Sequence, residues 1–191
     1  MLPEGPQELT YIFDDMNPDA RMRELILYIS DRCSEDPGYG ATKLNKILYH
    51  SDFIAFLRDG HPVTGAEYAA REHGPAPRRL VPVRDSLIAD RKLFIKHRRI
   101  MDKVQQRPIA MEPPSLGLFS ARDISIVDEV IQGLWGQTAT EVSDGSHGIA
   151  WDSMDEGESI PYEAAYLSDE PLTQAEIAMA RDLAQQYSWD A

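Results

Sequence analysis

Between Lys43 and Leu80 the chain encodes a helix, a stop, a second start signal and a rigid turn in direct succession, and no other stretch restricts the fold as tightly. Leu44, Ile47, Leu48 and Ile54 to Leu57 supply an apolar helix face, with Lys43, Lys46, Asp52 and Arg58 as its polar complement. Gly60 stops that helix because it takes the left-handed cap conformation at low cost, and Pro62 prevents a restart. Thr64 and Glu67 have the spacing of a capping box, and Val63 and Tyr68 that of a hydrophobic staple, which predicts a new short element from Gly65. Local propensity favours a helical turn over a strand for residues 64–73. Gly74-Pro75-Ala76-Pro77 ends it, since both prolines lack a donor and push the residues before them out of helical geometry.

The flanking sequence builds around this stretch. Asn17 followed by Pro18 is a helix start, and Met22, Leu25, Ile26, Ile29 and Cys33 recur at helical spacing until Asp36-Pro37-Gly38 closes the segment. Thr42 is positioned to cap the Lys43 helix. Residues 78–89 predict an amphipathic helix with Leu80, Val83, Leu87 and Ile88 inside and Pro82 confined to its first turn. From Lys92 to Met111 the helical period disappears, which predicts an antiparallel hairpin turning near Asp102-Lys103, with Pro108 on an exposed edge. Ser120 and Asp123 form a second capping box, with Phe119 and Ile124 as its staple, ahead of the stripe Ile124, Val127, Val130, Ile131 and Leu134. A shorter helix runs from Thr138 to about Ser143, and Leu172 to Gln186 carries one more staple, box and helical stripe.

These elements predict a mainly α, α+β fold: a single compact helical domain with a small antiparallel β-hairpin. A length of 191 residues with 42% hydrophobic content suits one core and is short for two. The expected organisation is a flexible N-terminal segment over residues 1–16 and a domain over 17–167. A C-terminal helix over 168–191 then packs on the domain or meets a partner. A lone cysteine, Cys33, on a helix stripe fits a buried thiol in a reducing compartment, and no basic leader or apolar span is present; a cytoplasmic protein away from membranes is expected.

Charge is unevenly distributed. The net formal charge is −13, yet residues 71–107 hold eleven Lys and Arg against four Asp and Glu, a surplus of seven that leaves −20 on the rest. Such a field repels a phosphate backbone, which argues against nucleic acid as a partner in general. Internal pairing of the basic segment with the acidic loop Asp152 to Glu170, or a solvated basic face, is the plain reading. A docking surface for an acidic partner is the sharper one. A DNA-binding transcriptional regulator using residues 71–107 is the alternative function, although no helix-turn-helix signature accompanies it.

Templates for chemistry are unfilled. His50, His61, His73, His97 and His147 form no HExxH, HxxxH or Cys-His spacing, so neither a metal nor a cofactor is expected. Ser146-His147 are sequence neighbours, a placement that rarely aims a hydroxyl at an imidazole, and Cys33 reads as a packing residue. GxGxxG and GxxxxGK do not occur. The chain is therefore expected not to be an enzyme. What the sequence does offer is aromatic and arginine area of the kind that dominates interfaces. The residues singled out for partner binding are Tyr68, Arg71, His73, Arg78, Arg79, Arg98, Arg99, His147 and Trp151. Against that stand core roles for Tyr49 and Tyr68, and for Trp151 a covering role in which its indole N–H is given to a carbonyl.

The motif Lys43-Leu-x-Lys-Ile-Leu-Tyr49, with Asp52, Gly60-x-Pro62-x-Thr64-Gly65-x-x-Tyr68-x-Ala70 and Gly74-Pro75, resembles the Panacea (SocA-like) antitoxin family of bacteria and their phages. Leu118-Phe119-Ser120, Ser146-His147 with Trp151, and Gly157 with Ile160-Pro161-Tyr162-Glu163 continue the likeness. The resemblance implies an antitoxin that binds and neutralises a cognate toxin protein. It also implies that a SocA-like member can act as an adaptor delivering its toxin to a protease.

Overall fold

A computed structural model describes residues 9–100, 103–144, 151 and 154–167. Five α-helices are present among them: α1 (Pro18–Arg32), α2 (Ala41–Asp59), α3 (Leu80–Ala89), α4 (Ala121–Leu134) and α5 (Ala139–Asp144). Strands β3 (Leu93–Ile100) and β4 (Lys103–Ala110) form an antiparallel ribbon, pairing Ile95 with Pro108 and Ile100 with Lys103. Three two-residue strands, β1 (Tyr68–Ala69), β2 (Ala76–Pro77) and β5 (Ser159–Ile160), make a second antiparallel sheet in the order β2-β1-β5. The fold is mainly helical α+β, as the periodicities predict. No helix among the described residues is long and apolar enough to cross a membrane.

Helix α2 is the axis of the molecule. It packs on α1, α4, α5, β2, β4 and the 3-10 turn Tyr162–Tyr166, so almost its whole circumference is covered. An aromatic cluster fills one side, with Phe53 stacked on Tyr162 at 5.1 Å between ring centroids and edge-on to Tyr68 at 5.5 Å. Segment 9–13 lies on the same side, where Thr10 O accepts from Tyr162 N (2.7 Å) and Phe13 N donates to Gly65 O (3.0 Å). Gly60 ends α2 in the left-handed conformation (φ 77°), its N–H on Phe56 O, as its stop signal requires.

Other start signals resolve unevenly. The Ser120–Asp123 box forms in both directions, and Asp123 also receives Arg21 at 3.2 Å. Pro18 opens α1, and Pro82 sits inside the first turn of α3. Helix α2 starts one residue before the expected cap: Gly40 takes the cap position, and Thr42 lies inside the helix. Helix α3 begins at Leu80 and buries Leu80, Val83 and Leu87 but leaves Ile88 38% exposed, since among the described residues it packs mainly on α1 and β3. In α4, Ile126 is buried where Ile124 was expected to lead the stripe.

The largest correction falls on residues 64–73. They form no helical element: Thr64 and Glu67 make no capping box, Val63 and Tyr68 no staple, and Tyr68–Ala69 is a strand. Thr64 instead gives its N–H (2.6 Å) and its hydroxyl to Asp52, leaving Thr64 Oγ1 to accept from Ala66 N. Glu67 pairs with Arg78 at 2.8 Å. Long-range partners outbid a local cap because they satisfy a buried carboxylate as well as the backbone.

A second correction concerns polarity. Lys43, Lys46 and Asp52, expected on the outer face of α2, are buried to 1%, 1% and 0% exposure, while Arg58 is exposed and pairs with Glu129. Pro108 is buried instead of standing on an open edge, because β4 lies on α1. The hairpin turn at 101–102, the C-terminal helix of 168–191, and His147 lie outside the described residues.

Candidate partner-binding face

Two polar centres flank α2, and they differ in access. Asp52 is wholly enclosed: Thr64 donates twice, Tyr68 donates from 2.8 Å, and the Tyr162 hydroxyl stands 3.5 Å away while donating to Ala66 O at 2.6 Å. Burial raises the Asp52 carboxyl to about 6, against the lowering effect of these donors. The same burial raises both tyrosines far above their usual range. With no route from solvent, this centre ties α2 to β1 and to the Tyr162 turn.

The other centre opens outward. Lys46 projects from α2 to the back of the Gly74-Pro75 turn, donating to His73 O at 2.6 Å and Pro75 O at 3.4 Å. Gly74 N returns to Arg71 O at 2.8 Å, and the indole of Trp151 donates to that same carbonyl at 2.9 Å. The indole thus meets the carbonyl expected of it. Around this pinned turn lies a cleft of about 250 Å³, walled by Thr42, Asn45 and Lys46 of α2, by Arg71, Glu72 and His73 of the turn, and by Glu156. Arg71, Glu72 and His73 are exposed at its rim. Burial lowers Lys46 to about 8 and, with the charge of Lys46, lowers His50 to about 4. Asn45 Oδ1 is buried beside the cleft without a hydrogen-bond partner among the described residues.

The predicted contact residues divide among several places. Arg71, His73 and Trp151 gather at the turn. Tyr68 is buried to 1% with its hydroxyl on Asp52, which removes it from the surface. Arg78 is half-buried and holds β5 through Gly157 O (2.6 Å) and Ser159 Oγ (2.8 Å), while Arg79 turns to Asp19 on α1 at 2.7 Å. Arg98 and Arg99 are exposed on β3. Within the basic segment, Arg84 pairs with Asp85 and Lys92 with Glu112, and Arg107 gathers the carbonyls of Cys33, Ser34, Asp36 and Tyr39 behind α1. Among the described residues, the ion pairs of this segment also join Arg78 to Glu67 and Arg79 to Asp19. Among the described residues no group of three or more His, Cys, Asp or Glu could hold a metal ion.

Sequence reasoning missed Lys46 and Asn45. The available signal was spacing: Lys46 lies three residues before the core tyrosine Tyr49, and Lys43 four before Ile47, so both share the inner face.

These features define a helical α+β domain whose polar interior braces a rigid surface turn. Residues 44–152 match the family model described as antitoxin SocA-like, Panacea domain, more than half of the chain, and the chain belongs to that family. No curated protein and no solved structure matches it.

Proposed function

We propose that this chain is the antitoxin of a bacterial or phage toxin–antitoxin pair, acting in the cytoplasm by binding and neutralising a cognate toxin protein, with no bond made or broken. Family membership supports the toxin–antitoxin role. The observation that carries the contact reading is the Gly74-Pro75 turn. It is pinned from behind by the buried Lys46 and the half-buried Trp151 while Arg71, Glu72 and His73 stand in solvent. A turn ordered before binding loses little entropy on docking, which is where interfaces of equal area differ in affinity. The acidic remainder of the chain favours encounter with a basic toxin. Handing the bound toxin to a protease is a further part of this reading and rests on the family resemblance.

Co-expression with the product of the neighbouring reading frame tests it. Growth rescue and co-purification of the two chains are expected; failure of both rejects the antitoxin role. Substitution Arg71→Glu is expected to weaken rescue with the fold intact.

A further inference from the structure

Among the described residues the hairpin has one edge covered and one uncovered. Pro108 has no N–H, so its pairing with Ile95 is of the kind in which facing residues exchange no backbone hydrogen bonds. Alternation along an antiparallel ladder makes His97–Gln106 the same kind. The bond from Met111 N to Lys92 O (2.8 Å), just beyond the facing pair Leu93 and Ala110, fixes the same phase independently, while Lys92 N turns to Leu87 O (2.9 Å). The N–H and C=O of Ile95 and His97 therefore point away from β4.

On β4 the corresponding edge is unsuited to pairing. Pro108 presents no donor there, and the strand lies on α1 and α2, with Gln105 and Gln106 O against Gly40. On β3 the cover ends at Ile95: Leu93 is buried, Ile95 half-buried, and every residue from Lys96 to Arg99 exposed. No hydrogen bond to another element involves the Ile95 or His97 backbone among the described residues. Lys96 and Arg98 stand on one face of this strand, with His97 and Arg99 on the other.

We infer that the outer edge of β3 over Ile95–Arg99 receives an extended acidic segment of the partner protein, which adds a third strand to the hairpin. Outward N–H and C=O groups alternate as a peptide strand requires, and the basic side chains select a strand carrying Asp or Glu. The same charges repel a second copy of β3, so the edge is protected against self-association while remaining open to an opposite charge. Nucleic acid is the weaker match: it offers no ladder to these backbone groups, and the remaining −20 repels phosphate. This inference rests on the antitoxin reading.

The test uses the full chain with the product of the adjacent reading frame. Amide exchange at Ile95 and His97 is expected to slow at least tenfold in the complex. The double variant Lys96→Glu/Arg98→Glu should raise Kd at least tenfold at unchanged circular dichroism. His97→Pro, which deletes an outward N–H and no ladder bond, should do likewise. If the wild-type pair binds, yet these amides are unprotected and the double variant binds within twofold, the inference falls and the antitoxin reading stands. Wild-type retardation of duplex DNA that the double variant loses, with partner binding intact, assigns the ribbon to nucleic acid and also overturns it. Absence of any wild-type complex overturns both.

Discussion

Lys43 Nζ lies 2.7 Å from Asp36 Oδ2 with both side chains 1% exposed, joining the first turn of α2 to the loop behind α1. The other carboxylate oxygen accepts from Gly38 N (2.9 Å) and Gly136 N (3.2 Å), so one buried acid fixes two loops as well. Removing one member of such a pair leaves an uncompensated buried charge. Lys43→Met should cost about 3–5 kcal/mol in urea unfolding. Asp36→Asn/Lys43→Met should cost less than the two single losses added, because the second change no longer strands a charge.

Asp52 gives stability a pH slope. Its folded value of about 6 lies above the ordinary 3.8, so folding favours the neutral acid. That contribution is fully present below pH 3.8 and is lost as pH rises through 6. From pH 4.5 to 7.5 the loss attributable to this group is about 2 kcal/mol. Unfolding free energies of wild type and Asp52→Asn at both pH values should differ by this change in slope; parallel profiles would contradict the assignment.

Two glycines flanking α2 should fail differently. A Cβ at Gly38 would overlap the carbonyl oxygen of Gln137 and stand 2.8 Å from Lys43 Nζ, so Gly38→Ala should cost about 2–3 kcal/mol by forcing backbone apart. A Cβ at Gly60 meets nothing within 4 Å, and Gly60→Ala should cost about 1 kcal/mol, from the left-handed conformation alone. Thermal midpoints of the two variants give the comparison directly.

Lys46 should control the order of the Gly74-Pro75 turn. Lys46→Met keeps the apolar stem and deletes the donors to His73 O and Pro75 O, at about 1–2 kcal/mol. Exchange at the Gly74 amide, now bonded to Arg71 O, should accelerate while exchange in α4 stays unchanged. Faster dissociation of the partner, with little change in association rate, is the expected functional counterpart.

Local order was readable where a signal and its partner lie within one turn. The stripe of α1, the Gly60 stop and the reciprocal Ser120–Asp123 bonds need nothing beyond a few neighbouring residues, and the loss of helical period after Lys92 announced the ribbon. The candidate face was legible only in part. Arg71, His73 and Trp151 meet at the turn, whereas Arg78 and Arg79 are occupied by Ser159 and Asp19, acceptors far from them in sequence.

Sequence alone thus determined the stripe of α1, the end of α2, the start of α4 and the pairing of β3 with β4, because capping, helical spacing and proline geometry act over four residues or fewer. Tertiary structure decided the rest. Thr64 through Tyr68 could satisfy its donors either in a helical turn or on a distant carboxylate, and the burial of Asp52 tipped the balance to a strand. Lys43 and Lys46 are polar by type yet interior by position, since only the assembled chain brings Asp36 and the His73 carbonyl to the places where their charges can be buried.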